Sequence, residues 1–524
     1  MQSEILGLMH DSAPFSIPEM RDFVPQRLRP WIVVLLVIIV QLSGGVYLAA
    51  VGDMAGSKAL MQQDIMMAAY ASLTGMALTF TVMFRLKFRF WSRDSLLICL
   101  AALIAANLIC MYTDNVPLMV GTCFFAGIFR LWATFVCNST IQLWITPKRD
   151  MSIWFCYINL LVQCCIYLSG LATVNIAFFA RWQYMHFFIT GMLASAVLLV
   201  LLVYRTDFKA RRQPLYGIDW TGGLLWGVTI LCAAFVLCYG EYYDHFSSVH
   251  IRTACIAGCT ALYLNIYRAS WVRHPFIDNA IWRFPIVWKT LALYVLADIL
   301  LSPSHVLEHI LTEDILRYDA LNVIDLNWTI IIGTVAGCLF TWRTYAQGRL
   351  SGKDATLTAF ASIAVYLCVS YVTVDYGMNK EALYLPLFLR SFGYVIIAIV
   401  FLTSLKEVPF RYYFQAISVQ GFMSACLGGA IGQAAITRLF RFTVLKNTML
   451  LGAAADGAAP LVQRLSTAQI AQAVGERAVM VSIKEIYGLL AIAAIACVMA
   501  GLLLKSDLKP HKPYFAGRAK ARFS

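Results

Sequence analysis

The stretch YRTDFKARRQPLYGIDWTGGLLWGVTILCAAFVLCYGEYYDHFSSVHIRTACIAGCTALYLNIYR, from Tyr204 to Arg268, decides the fold. A basic segment, Arg205, Lys209, Arg211 and Arg212, leads into Gly217-Ile218-Asp219-Trp220-Thr221-Gly222-Gly223. Two apolar runs follow, parted only by the acidic-aromatic bend Glu241-Tyr242-Tyr243-Asp244-His245. Each run is roughly 20 residues long, the length a helix needs to cross a bilayer core once. Two crossings return the chain to the side it left, so the pair fits between two larger membrane halves without reversing either.

Composition excludes a water-soluble globule. Of 524 residues, 60% are hydrophobic and 13% charged, too little polar surface to coat a soluble body of this size. In lipid the backbone must satisfy its own hydrogen bonds, so apolar runs of this length are helices; barrel strands would alternate over about ten residues. The net charge of +13 is not a nucleic-acid footprint, because the basic residues concentrate in alternate loops. These loops are Arg85-Lys87-Arg89-Arg93, Lys148-Arg149, Arg205 to Arg212, Arg268-Arg273-Arg283, Arg343-Arg349-Lys353, and the tail from Lys505 to Arg522. About two thirds of the Lys and Arg fall on that face, which the positive-inside rule makes cytoplasmic.

Taken in order, the chain yields about fourteen spans by length and flanking charge. The first half holds 31–52, 64–84, 94–113, 117–145, 151–175 and 183–204, within an N-terminal bundle at 31–204 that follows a tail at 1–30. The linker and central pair occupy 205–268, with spans at 219–240 and 250–268. The second half, 269–505, holds 286–311, 323–343, 355–374, 382–404, 411–437 and 483–505, with an external loop at 438–482 and a basic tail at 506–524. An even count places both termini in the cytoplasm. Two halves joined through a basic segment fit a transporter that rocks one bundle against the other around a central site.

The chain resembles the drug:proton antiporter-2 family, the fourteen-helix branch of the major facilitator superfamily that includes multidrug-resistance protein B exporters. The resemblance rests first on Leu427-Gly428-Gly429-Ala430-Ile431-Gly432, similar to the family's glycine-rich element in its thirteenth helix. Asp219-Trp220-Thr221-Gly222 and Leu389-Arg390-Ser391-Phe392-Gly393 match the seventh and twelfth. The long segment Arg438 to Ser482, containing Arg477-Ala478 and followed by Glu485-Ile486-Tyr487, resembles the family's large external loop. The resemblance implies a major facilitator fold, an all-α membrane protein of two six-helix bundles plus two extra central helices. It also implies an inner-membrane location, proton coupling, and a periplasmic loop that can meet a membrane-fusion adaptor and an outer-membrane channel.

Other family elements are altered. The gate loop, in the family Gly-x-Leu-x-Asp-Arg-x-Gly-Arg, reads Phe84-Arg85-Leu86-Lys87-Phe88-Arg89-Phe90-Trp91-Ser92-Arg93, which keeps the charge but not the Asp or the glycines. Arg85, Arg89 and Arg93 remain as its gating cations, and Gly428, Gly429 and Gly432 are the glycines on which helices slide. In the fourth span Phe125-Ala126-Gly127 keeps the family glycine, and Arg130 stands in for its arginine from the next turn. The fifth span retains only Ser169-Gly170, followed by Trp182-Gln183-Tyr184. The acid expected in the first span is missing, since Gln41-Leu42-Ser43-Gly44-Gly45 occupies its place.

Ionisable groups at membrane depth are costly, so each needs a reason. The ninth span has the densest set, Asp298, His305, Glu308 and His309, and a helical wheel puts His305 and His309 within about 20° of Asp298. Such a stripe faces an internal cavity and passes or holds a proton, or it pairs with polar groups of neighbouring helices, or its His305 to His309 end lies near the external surface in water. Arg130 and Arg390, in related positions of the two halves, each need a carboxylate, a carbonyl or an anionic substrate group. Gln41 and Asn138 add polar atoms to the same pathway; Asn138, Gln142 and Gln163 also suit hydrogen bonds between helices.

Several motif matches are set aside. His305-Val306-Leu307-Glu308-His309 fits a zinc-peptidase pattern but follows Pro303 at a span end without that scaffold, so no metal and no enzyme activity are expected. Fifteen cysteines lie mostly inside apolar runs with no Cys-x-x-Cys pair, which implies neither a disulfide frame nor a zinc site. Asn138-Ser139-Thr140 and Asn327-Trp328-Thr329 fall in or beside spans and are not glycan acceptors. No phosphate-binding Gly-x-x-x-x-Gly-Lys loop occurs, so direct drive by ATP is not expected, nor is any other cofactor. The leading expectation is a secondary exporter of amphipathic small molecules. Uptake or uncoupled facilitation of one metabolite, and a non-transporting scaffold or sensor, are the alternatives.

Overall fold

The computed structural model describes residues 17, 19–206, 215–454 and 466–503, apart from the side chain of His305. Lys209, Arg211 and Arg212 of the linker, Asp456 and Gly457 of the long loop and the tail 506–524 lie outside the described residues. Helices dominate the described residues, whose β pairing is an isolated bridge from Met20 to Tyr204.

The first helices are α1 (Arg29–Leu42), α2 (Val51–Lys58), α3 (Gln62–Arg89) and α4 (Ser92–Tyr112). Next are α5 (Val116–Ile145), α6 (Met151–Phe179) and α7 (Gln183–Val203). The central pair is α8 (Trp220–Tyr239) and α9 (Val249–Ala269). The later part holds α10 (Pro285–Leu301), α11 (Pro303–His309), α12 (Ala320–Ile324), α13 (Leu326–Thr344) and α14 (Gly352–Thr373). It ends with α15 (Tyr384–Ser404), α16 (Phe410–Gly421), α17 (Gly428–Ala454) and α18 (Thr467–Leu503).

Among the described residues, 12 helical runs are long and apolar enough to cross a membrane, counting Pro285–Ile315, Ala320–Thr344, Lys380–Glu407 and Phe410–Ala454 each as one. Neither α1, with 14 residues, nor α9, whose 21 residues include His250, Arg252 and Arg268, is among them.

Three expectations need correction. The first span is not one helix over 31–52: α1 stops at Leu42, and a short 3-10 turn at Leu48–Ala50 precedes α2. Gly45 sits at φ +83 there, a left-handed conformation that favours glycine. The span 286–311 is interrupted at Ser302, where Pro303 lacks the N–H that would continue the ladder, and it closes in a wide π turn at Ile310–Ile315. Finally, the span 411–437 does not end at Thr437: α17 runs on to Ala454, and α18 begins at Thr467, within the helix-compatible stretch Ser466 to Gln472, so most of the described residues of the loop 438–482 are helical. Its polar side chains find partners: Arg441 pairs with Glu241 at 2.9 Å, Lys446 pairs with Glu485, and Asn447 donates to Ser482 at 2.9 Å.

Two large apolar cores form. One draws mainly on α1 and α3 to α7, with Val287, Ile399 and Cys426 added from later helices; the other runs from Tyr294 to Ala494. Helices α3 and α5 touch backbone to backbone. A Cβ on Gly127 would lie 1.9 Å from the Ser72 carbonyl oxygen, and one on Gly75 would lie 2.1 Å from that of Phe124.

Ile17, Met20 and Val24 are buried, and the Arg29 guanidinium donates to the carbonyls of Ile17, Val24 and Arg21 at 2.9, 3.1 and 3.2 Å. The central pair is tied at one end by Asp219, which caps α8 through the Gly222 amide at 3.0 Å and binds Arg268 of α9 at 2.9 Å. Burial would raise the Asp219 carboxyl, yet Arg268, the Gly222 amide and the Thr221 hydroxyl hold it below the usual carboxylate range. The pair also touches both parts of the bundle: Tyr239 donates to Asp64 of α3, and Trp226 stacks on Phe422 at 5.9 Å.

Candidate functional site

A cavity of about 1810 Å³ lies between the two parts of the bundle, larger than the roughly 300–1,000 Å³ usual for a small-molecule site. Its walls run from Lys87, Arg149 and Asp150 at the end carrying the basic loops to Asp53, Gln62 and Glu313 at the other. Between these ends it is mostly apolar, with Phe80, Phe84, Phe135, Phe155, Tyr294 and Tyr394 among the lining rings.

On the α10 side the wall carries Asp298, whose Oδ2 is buried without a hydrogen-bond partner. The reason for this placement lies in α17. A Cβ on Gly428 would sit 1.8 Å from Asp298 Oδ2, and one on Gly432 would sit 2.9 Å from the Asp298 carbonyl oxygen and from Ser302 Cβ. The glycines therefore admit the carboxylate against a helix backbone. A π turn at Phe422–Leu427 sits immediately before Gly428, where it widens the helix. Gly429 lines the cavity directly.

One turn beyond the Pro303 break, Glu308 forms an ion pair with Arg390 of α15. Tyr366 of α14 donates to Glu308 Oε1 at 2.9 Å, which completes a three-helix knot. Arg390 is 9% exposed, so its charge is compensated out of bulk water. His309 lines the cavity but is largely exposed and meets Glu313 at 3.3 Å. His305 belongs to α11, and its side chain is outside the description. The three do not act as one stripe: Asp298, Glu308 and His309 share the cavity, but Glu308 pairs with Arg390, His309 meets Glu313, and Asp298 Oδ2 has no partner among the described residues.

The α5 wall is different in character. Arg130, Thr134 and Asn138 follow one another at one-turn spacing, and all three line the cavity together with Gln41 of α1. Gln41 donates to Thr134 Oγ1 at 2.9 Å, Thr134 donates to the Arg130 carbonyl at 2.8 Å, and Tyr157 donates to Asn138 Oδ1 at 3.4 Å. Among the described residues, the Arg130 guanidinium reaches only the Ser43 carbonyl at 3.5 Å and Met76 Sδ at 2.9 Å, and its buried Nε has no partner. The break after α1 exposes that carbonyl to it.

Arg85, Arg89 and Arg93 stand apart from the cavity. Arg85 packs on Gly217, where a Cβ would come 2.6 Å from Nη1, and Arg93 Nε is buried without a partner. It is Lys87, bonded to Ser139 Oγ, that faces inward. The spacing of Phe80, Met83, Phe84, Lys87 and Phe88 at three and four residues marks this inward stripe in the sequence. At the same end α3 meets α16: Thr81 and Ser418 hydroxyls lie 2.7 Å apart, Ser418 donates to the Ala77 carbonyl at 2.6 Å, and the rings of Phe84 and Phe414 are 4.4 Å apart. Tyr366 and Thr134 are site residues that sequence reasoning missed, because a tyrosine or threonine in an apolar helix carries no mark of its partner.

No family model matches the sequence, and no curated protein matches it. Solved structures do match in shape. A structure described as giving insight into substrate recognition in proton dependent oligopeptide transporters aligns with a TM-score of 0.56 at 12% identity, covering 90% of this chain and 97% of that one. A tetrameric PepTSo2 structure aligns at 0.54 and 12%, covering 91% and 97%. The nucleoside transporter NupG aligns at 0.52 and 12%, covering 90% and 99%. The chain shares the overall fold of these solved transporters. With its run of long apolar helices, the chain is a multi-pass membrane protein of that all-helical architecture.

Proposed function

We propose that the protein is a secondary transporter that exports an amphipathic or drug-like small molecule by alternating access, with proton entry as the drive. The observation that carries this reading is Asp298: an unpartnered carboxylate in a cavity wall, held against the glycines of a helix that begins at a π turn. A carboxyl there takes a proton when the cavity opens to one side, and the glycine contact ties its state to the seating of α17 on α10. In this reading the chain crosses the inner membrane fourteen times, α1 and α9 included, with both termini cytoplasmic, two six-helix bundles and the central pair between them. Helices α17 and α18 extend towards the periplasm, where an adaptor and an outer-membrane channel would meet them.

The test is Asp298→Asn in proteoliposomes with an imposed pH gradient. Gradient-driven movement of an amphipathic dye is expected to fall at least about 100-fold, as for loss of an essential proton-transfer group, while exchange without a gradient persists. Full coupling in the variant rules the role out.

Uncoupled facilitation or uptake of one metabolite is the second reading, favoured by Gln41 in place of an acid and by its engagement with Thr134. It predicts identical dye or metabolite flux with and without the gradient.

A further inference from the structure

The two arginines of the cavity are not equivalent. Arg390 is matched by Glu308, whereas Arg130, in the related position on α5, has no carboxylate partner among the described residues. Among the described residues, Glu308 and Glu313 of the cavity pair with Arg390 and His309 instead, and Asp298 Oδ2 has no hydrogen-bond partner. A guanidinium cannot discard its charge, and in a largely apolar chamber an unmatched one is costly unless a counter-charge arrives.

Its donors are also underused. Of five N–H groups, one makes a long contact to a carbonyl, one meets a thioether, which accepts weakly, and Nε meets nothing. Two turns along the same face, Asn138 accepts from Tyr157 through its amide oxygen. Phe135, Ile158 and Val162 complete the surrounding wall with apolar surface. A planar fork of donors beside apolar surface is the arrangement that seats a carboxylate or phosphate head on a greasy body.

We propose that Arg130 is an anion-binding subsite and that the cargo is an amphiphile bearing a carboxylate, phosphate or sulfonate group, which supplies the missing counter-charge. This deepens the exporter reading and rests on it. Lys87 and Arg149 line the same cavity towards its basic end, so an anionic head entering there meets cations before it reaches Arg130.

The experiment uses three fluorescent probes with one naphthyl-alkyl body and different heads: carboxylate, methyl ester and trimethylammonium. Equilibrium binding is measured on the full-length protein in detergent. The carboxylate probe is expected to bind at least about 10-fold tighter than the other two, a preference that one charge-assisted contact can supply. Arg130→Gln is expected to bring its affinity down to that of the ester, and Arg130→Lys to keep most of the preference.

An ester or ammonium probe that binds wild-type protein as well as the carboxylate overturns the proposal. So does a carboxylate preference that survives Arg130→Gln, or failure of all three to bind. Even if neither variant folds, a wild-type ranking without carboxylate preference overturns the proposal, and Thr134→Val, which leaves the charge in place, is expected to keep the preference. Flux of the same probes into vesicles separates the two readings: selective binding without movement sinks the exporter and leaves the subsite, while movement without carboxylate preference sinks the subsite and leaves the exporter.

Discussion

At the residue scale the site is governed by which charges are answered. Glu308 and Arg390 answer one another, so removing one partner strands the other. Arg390→Ala is expected to destabilise the protein by about 3–5 kcal/mol, whereas Glu308→Gln combined with Arg390→Gln recovers much of that loss. Thermal unfolding of the purified variants measures both, and a double variant as weak as Arg390→Ala contradicts the assignment. Asp298, Glu308, Arg390 and Arg130 are visible in the sequence because a charge inside an apolar run is conspicuous. What the sequence hides is who meets whom. A straight wheel groups Asp298 with both histidines, but it does not show that Glu308 reaches Arg390 on another helix or that His309 meets Glu313 one turn on.

At the element scale the close approach of α3 and α5 fixes where Arg130 projects. Gly127→Val places carbon inside the space of the Ser72 carbonyl, and the helices must part. The expected cost is about 1–3 kcal/mol of stability, with weakened probe binding in the cavity, because the arginine one turn away moves with its helix. Unchanged melting and binding in this variant would mean that the two backbones do not touch. Helices α3 to α9 were legible to within a few residues, since a bilayer dictates length and basic loops dictate ends. The break after Leu42 was not, because Ser43, Gly44 and Gly45 interrupt hydropathy too little to show. Nor was the continuation past Thr437. Arg441, Lys446 and Asn447 look like loop residues until Glu241, Glu485 and Ser482 are seen beside them.

At the scale of the whole molecule, rocking requires that α3 and α16 separate at the basic end during part of the cycle. Thr81→Cys with Ser418→Cys puts two thiols where hydroxyls lie 2.7 Å apart. Oxidation is expected to stop flux and reduction to restore it. Undiminished flux in the cross-linked protein would exclude a mechanism in which these helices part. The 27-residue α17 adds a mechanical corollary. It is about 40 Å long and joins α16 through a π turn, so a pivot of only 10° there sweeps its far tip through about 7 Å. A carboxylate-sized event beside Gly428 is thereby geared up into a displacement that anything resting on the outer end of the helix would feel.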